Sequence, residues 1–189
     1  MKEKYDNAYS TLQKKENELN NLIDSATAND SESLQLSEEL EEVNSILGLT
    51  TVHGEGIVIT ISDGTAPTNA LDLSSYIVHD TNLRLIVNYL FNAGAEAVSI
   101  NDERIVSTTA ITCIGNTIKV NNEKVATPFV IKAIGQQDKL YGAMTTQGGY
   151  LYNLVNSTGV SVDSIEKSDS ITIEGYSGVF SFEYASYAE

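Results

Sequence analysis

The residues best placed to do chemistry are four consecutive polar ones, Asn101, Asp102, Glu103 and Arg104, which follow the apolar run Ala95 to Ile100. A cation beside two carboxylates at a strand end can grip a partner, or it can pair locally and lock a turn. Exposed pairs of this kind contribute under about 1 kcal/mol, and the local lock is the favoured reading; the four are carried forward as candidate partner contacts. Catalytic groupings are not expected. The two histidines, His53 and His79, open different elements and leave a metal site short of ligands. The single cysteine, Cys113, sits in the apolar run AITCIG and reads as a buried structural thiol. There is no strand–turn–helix GxSxG motif for a nucleophile. Gly54–Glu55–Gly56 precedes a strand rather than opening a helix, so it lacks the dipole that holds a phosphate. No enzyme, no metal and no cofactor is expected.

These residues must be positioned by the stretch from His79 to Arg104. Asp80 is suited to cap a helix, and Leu83, Ile86, Val87, Leu90 and Phe91 fall at i, i+3, i+4, i+7 and i+8. Gly94 follows where a helix end favours a left-handed residue. Ala95 to Ile100 then reads as a strand, joined so closely that helix and strand must pack together. Arg84 and Asn88 lie one turn apart on the polar face, where plain solvation is the simplest reading.

Upstream, His53 to Ser62 alternates as a strand with Ile57, Ile59 and Ile61 on its buried side. Thr65 to Ser75 is a loop by its Pro, Asn, Asp and Ser content. Downstream, Arg104–Val106, Ala110–Ile114, Thr117–Val120 and Phe129–Ile134 read as short strands. Gln136–Thr145 and Gly149–Asn156 read as helices, and 160–165 and 170–174 as two further strands. Removing the inserted hairpin leaves βαββαβ. The expectation is therefore an α+β, ferredoxin-like domain with an inserted β-hairpin, its two helices on one face of an antiparallel sheet and the other face free. Late tyrosines, Tyr150, Tyr152, Tyr176, Tyr184 and Tyr187, suit either an interface or a tail folded over the sheet.

Residues 1–48 form a separate, charged, Leu-punctuated segment. Leu12 and Leu19 lie seven apart with Ile23 on the complementary seam, while Leu36, Leu40, Val43 and Leu47 step by 4, 3 and 4 in a different phase. An N-terminal coiled-coil helix follows, and short helices of this kind need a partner, so a homodimer is expected. The organisation is a stalk at 1–48, the domain at 49–176 and a tail at 177–189. A net charge of −15 argues against nucleic acid or an anionic membrane surface as a direct partner.

Three segments in this order and spacing resemble one known family: LGLTTVHGEGIVITISDG, IVHDTNLRLIVNYLFNAGAEAVSINDERI and TCIGNTIKVNNEKVATPFVIKAIG. They are similar to the YlxW/YlxX-like family of bacterial proteins (domain of unknown function 881) from about Gly48 to Tyr176. The resemblance implies an N-terminal membrane helix, a coiled coil and a ferredoxin-like domain on the extracytoplasmic face of the membrane. It also implies envelope or cell-division partners and assigns no activity. The chain has no run of about 18 apolar residues, so its only link to a membrane is an anchor expected ahead of Met1. Asp102 stands where family members commonly have Gly, which implies a different turn. The expected function is a non-enzymatic scaffold or interaction module. The alternative is a small-ligand-binding sensor in which the loop Thr65 to Ser75 closes over a pocket.

Overall fold

The computed structural model describes residues 14–15, 17–18, 21–22, 31–69, 72–178 and 184. Gly48–Tyr176 is one compact unit, and Met1–Leu47 with Ser177–Glu189 belong to a second. In the second unit, Lys14, Lys15, Asn17, Glu18, Asn21 and Leu22 are helical. Helix α1 spans Ser31–Ile46. Leu36, Leu40, Val43 and Leu47 are 59, 43, 50 and 45% exposed. The other proposed seam residues, Leu12, Leu19 and Ile23, lie outside the described residues.

Gly48–Tyr176 is a mixed α+β unit with antiparallel sheets. Strand β1 (Val52–Ser62) leads through a loop with a 3-10 turn at Ser74–Tyr76 into helix α2 (Asp80–Asn92). Strands β2 (Ala97–Ile100) and β3 (Glu103–Arg104) form a hairpin. Strands β4 (Ile111–Ile114), β5 (Thr117–Val120) and β6 (Glu123–Val125) follow, then β7 (Phe129–Ile134). Helices α3 (Gln137–Thr145) and α4 (Tyr150–Ser157) precede the last strand, β8 (Ser161–Ile173). The main sheet has the order β3-β2-β7-β1-β8, and β4-β5-β6 form a second, three-stranded sheet.

The inside face of the main sheet explains the order of elements. Ile57, Ile59 and Ile61 of β1, Val98 and Ile100 of β2, and Phe129, Ile131 and Ala133 of β7 are all buried with α2, α3 and α4. Helix α2 contributes Leu83, Ile86, Val87 and Leu90, one stripe at helical spacing. Phe91, expected on that stripe, is instead 41% exposed, because it sits a residue beyond the buried line. The α3 end of the layer is fastened to β8 by Gln137, whose Nε2 donates to the Ser168 carbonyl at 2.9 Å, and by a Lys167–Asp138 pair at 2.6 Å.

Several expectations need correction. The insertion is a three-stranded sheet rather than a hairpin, and Ile111, Ile118, Val120 and Val125 join the main core. The two late strands are one, since β1 pairs along β8 from Val52↔Ile173 to Ser62↔Ser161 across two bulges. The centre of the sheet is β7, with β2 second from the edge beside β3. The far face is not wholly free either, because Ala97, Ile134, Ile171 and Ile173 are buried there, flanked by Val52 and Val58.

The loop before α2 is tied at its ends. Asp63 Oδ1 accepts the Val78 N–H at 2.7 Å, and the Tyr76 carbonyl accepts the Gly64 N–H at 2.7 Å. Asp72 Oδ1 accepts from the N–H and hydroxyl of Ser74 at 2.9 and 2.7 Å, which holds the Asp72 carboxyl below the usual carboxylate range.

Candidate partner-contact site

The turn carrying the four candidate residues joins β2 to β3, with Ile100 paired to Glu103 and two residues between them. Asn101 and Asp102 have φ of 47° and 68°. Positive φ at both central residues is the geometry that matches the twist of a two-residue hairpin, and Asn and Asp tolerate it better than other side-chain-bearing residues. The tight turn is thus made without glycine.

Each of the four side chains engages the domain itself. Asn101 Oδ1 accepts the Val130 N–H at 3.0 Å and its Nδ2 donates to the Pro128 carbonyl at 3.1 Å, which fixes the turn to the start of β7. Asp102 pairs with Lys132 at 2.6 Å, and its side chain is 74% exposed. Glu103 accepts from Asn121 Nδ2 at 3.1 Å, and the same amide donates to the Arg104 carbonyl at 2.9 Å, linking the hairpin to the insertion. Arg104 is only 5% exposed. Its guanidinium lies under the chain entering β1, with Nη1 3.5 Å from the Thr50 carbonyl oxygen, and burial pushes it down from its usual range. Of the four, Asp102 presents the open surface, and the cation beside it is Lys132 rather than Arg104.

Lys132, Asn121 and Ser99 complete this cluster and carried no local signal, since they lie on three separate strands or turns. The one hint was Lys132 alternating with the apolar Ile131 and Ala133 in a strand-like run.

A second polar junction joins α2 to the insertion. The N-cap of α2 is His79, not Asp80; the His79 N–H donates to Asn82 Oδ1 at 2.7 Å and its Nε2 lies 2.8 Å from the Ser74 carbonyl. Asp80 is left to reach β4, where its carboxylate accepts the Cys113 N–H at 3.1 Å. Arg84 is more than solvated: Nη1 donates to the Ile111 carbonyl at 2.9 Å and to Asp80 at 3.3 Å. Cys113 is exposed, contrary to the expected buried thiol, because β4 turns only Ile111 inward. Tyr150 stacks on Tyr89 of α2 at 5.5 Å and accepts from Asn82 Nδ2 at 3.1 Å, while Tyr184 is almost fully exposed. Burial pushes the Tyr150 phenol up. Tyr187 lies outside the described residues.

Among the described residues, no three His, Cys, Asp or Glu side chains are grouped as metal ligands, and no helix is long and apolar enough to cross a membrane.

The fold and site define a mixed α+β domain whose polar side chains chiefly brace a hairpin and an inserted sheet. The chain belongs to the family described as "Bacterial protein of unknown function (DUF881)", whose sequence profile matches residues 39–186. It is 31% identical over 144 residues to UPF0749 protein YlxW of Bacillus subtilis, covering 76% of this chain and 62% of that one. It is 30% identical over 174 residues to UPF0749 protein Rv1823 of Mycobacterium tuberculosis, covering 87% and 55%. UPF0749 protein YlxX of Bacillus subtilis is 27% identical over 146 residues. The chain thus spans about three-fifths of the length of the curated relatives it matches. In fold it is similar to the crystal structure of an uncharacterized conserved protein from Mycobacterium tuberculosis. The TM-score is 0.63 at 24% identity, over 79% of this chain and 99% of that one.

Proposed function

We propose that the chain is the extracytoplasmic part of a membrane-anchored, coiled-coil protein, acting as a non-enzymatic scaffold or interaction module of the cell envelope or division machinery. The observation that carries this reading is on α1 and the turn that ends it. Leu36, Leu40, Val43 and Leu47 recur by 4, 3 and 4 and remain solvent-exposed in the single chain. A stripe at that spacing is the seam of a two-stranded coiled coil, and a second copy of the chain is its simplest partner. The helix carries Glu38, Glu39, Glu41 and Glu42 outside the seam, where they keep it soluble without blocking the apolar contact.

The ferredoxin-like reading of the domain is supported by the run β2-β7-β1-β8 within the sheet, with helices following β1 and β7 on one face. The membrane anchor and the envelope partners rest on the family resemblance. On the domain, the candidate contact is the tip of the β2–β3 hairpin, where Asp102 is the exposed member.

The test is sedimentation equilibrium of the whole chain beside a Leu40→Asp, Val43→Asp variant. The wild type should be a dimer and the variant a folded monomer. A monomeric wild type at about 100 μM would remove the basis of the proposal, since a useful coil should associate well below that concentration.

A further inference from the structure

The sheet register places three polar side chains in one row on the face away from the helices. Arg104 of β3 lies opposite Ser99 of β2, and Ser99 lies opposite Lys132 of β7. Directly opposed residues of antiparallel strands present their side chains to the same side. That side is the one holding Ala97, two residues before Ser99, with Ile134 and Ile171.

Two members of this row are buried with unmet needs. Ser99 is 1% exposed and its Oγ has no hydrogen-bond partner. Arg104 is 5% exposed, and its contact with Thr50 is at the outer limit of a hydrogen bond. Among the described residues no carboxylate pairs with its guanidinium, whereas Lys132 pairs with Asp102. A buried cation ordinarily has an anion, and a buried hydroxyl ordinarily has a partner. Here the two adjacent groups both offer donors, and among the described residues the distant Thr50 carbonyl is the acceptor that faces them, with no carboxylate balancing the charge.

We propose that Arg104 and Ser99 form a subsite for a single carboxylate group. The planar fork of a guanidinium matches the two oxygens of a carboxylate, and one monoanion balances the charge that no described carboxylate pairs. The main chain at Gly48 passes beside the guanidinium, where an added Cβ would lie 3.4 Å from Arg104 Nε. The row continues to Lys132, whose side chain is 30% exposed and is paired with Asp102. The carboxylate belongs either to a small free acid or to the end of a peptide. This inference does not depend on the oligomeric state.

The test is titration calorimetry of the whole chain with acetate, with a short peptide bearing a free C-terminal carboxylate, and with the same peptide amidated, against chloride at equal ionic strength. Saturable binding of acetate or of the free-acid peptide is expected, with none for chloride or the amide. Acetate binding assigns a small acid; binding of the free-acid peptide alone assigns a chain terminus. Two variants, Ser99→Ala and Arg104→Lys, checked as folded by circular dichroism, should each weaken binding about tenfold. No saturable carboxylate binding by the folded wild type, or equal binding by the folded Ser99→Ala chain, overturns the proposal.

Discussion

Asp80 and Cys113 hold each other through their backbones: the Asp80 carboxylate accepts the Cys113 N–H at 3.1 Å, and the Asp80 N–H points to Cys113 Sγ at 3.3 Å. This clasp ties the first turn of α2 to the outer strand of the inserted sheet. Burial alone would push the Asp80 carboxyl up, but the N–H groups of Cys113 and Thr81 and the Arg84 charge outweigh it and hold it below the usual carboxylate range. A carboxyl lowered on folding stabilises the protein above its ordinary titration, and that contribution is lost as the pH falls through the lowered value. Asp80→Asn should therefore cost about 1–2 kcal/mol at pH 7, and the variant should lose less stability than the wild type on acidification below about pH 4. Urea unfolding at pH 7 and pH 3 checks this; equal stability at pH 7 would show that the clasp contributes nothing.

Leu90 is fully buried where α2 lies on the sheet. Leu90→Ala should destabilise the domain by about 2–5 kcal/mol. A loss under about 0.5 kcal/mol in thermal or urea unfolding would mean that this stripe does not hold the helix down.

Gly64 and Gly159 meet where β1 ends and β8 begins. A Cβ on Gly64 would lie 1.6 Å from the Gly159 carbonyl oxygen, so Gly64→Ala forces the two strand ends apart. The expected cost is about 1–3 kcal/mol or more. Gly115 is the control: its φ of +64° strains alanine, but nothing stands within 4 Å of the added carbon. Gly115→Ala should cost about 1 kcal/mol, and the reverse ranking of the two variants would contradict the close approach.

Sedimentation of residues 49–189 beside the whole chain separates the stalk from the domain. The shorter piece should be mostly monomeric where the whole chain is dimeric. A dimer of equal strength in both would place the self-association in the domain and not in α1.

The long periodic segments are legible in the sequence alone. Ile57, Ile59 and Ile61 alternate, and Leu83, Ile86, Val87 and Leu90 repeat at helical spacing, and all seven are buried. Short segments were harder. Strands β4, β5 and β6 have four, four and three residues, too few alternations to show which side faces in. Cys113 looked buried because its neighbours are apolar, yet three of the four residues of β4 are exposed. Asn101, Asp102, Glu103 and Arg104 stand out as a polar run, but a local run does not specify its pairing. The partners Lys132 and Asn121 are many residues away, and only strand register brings them together.

By itself the sequence determined the periodicities, and with them the strands and helices that must turn apolar faces toward each other, because side-chain spacing of two or about 3.6 is a local property of the backbone. It also determined the acidic, Leu-spaced character of α1. Only the tertiary structure decided that β7 is the centre of the sheet, that β8 is one bulged strand, and that Arg104 is buried beside an unpartnered Ser99. Those outcomes depend on which strands pair and in what register, and pairing is set by contacts between residues far apart in the chain.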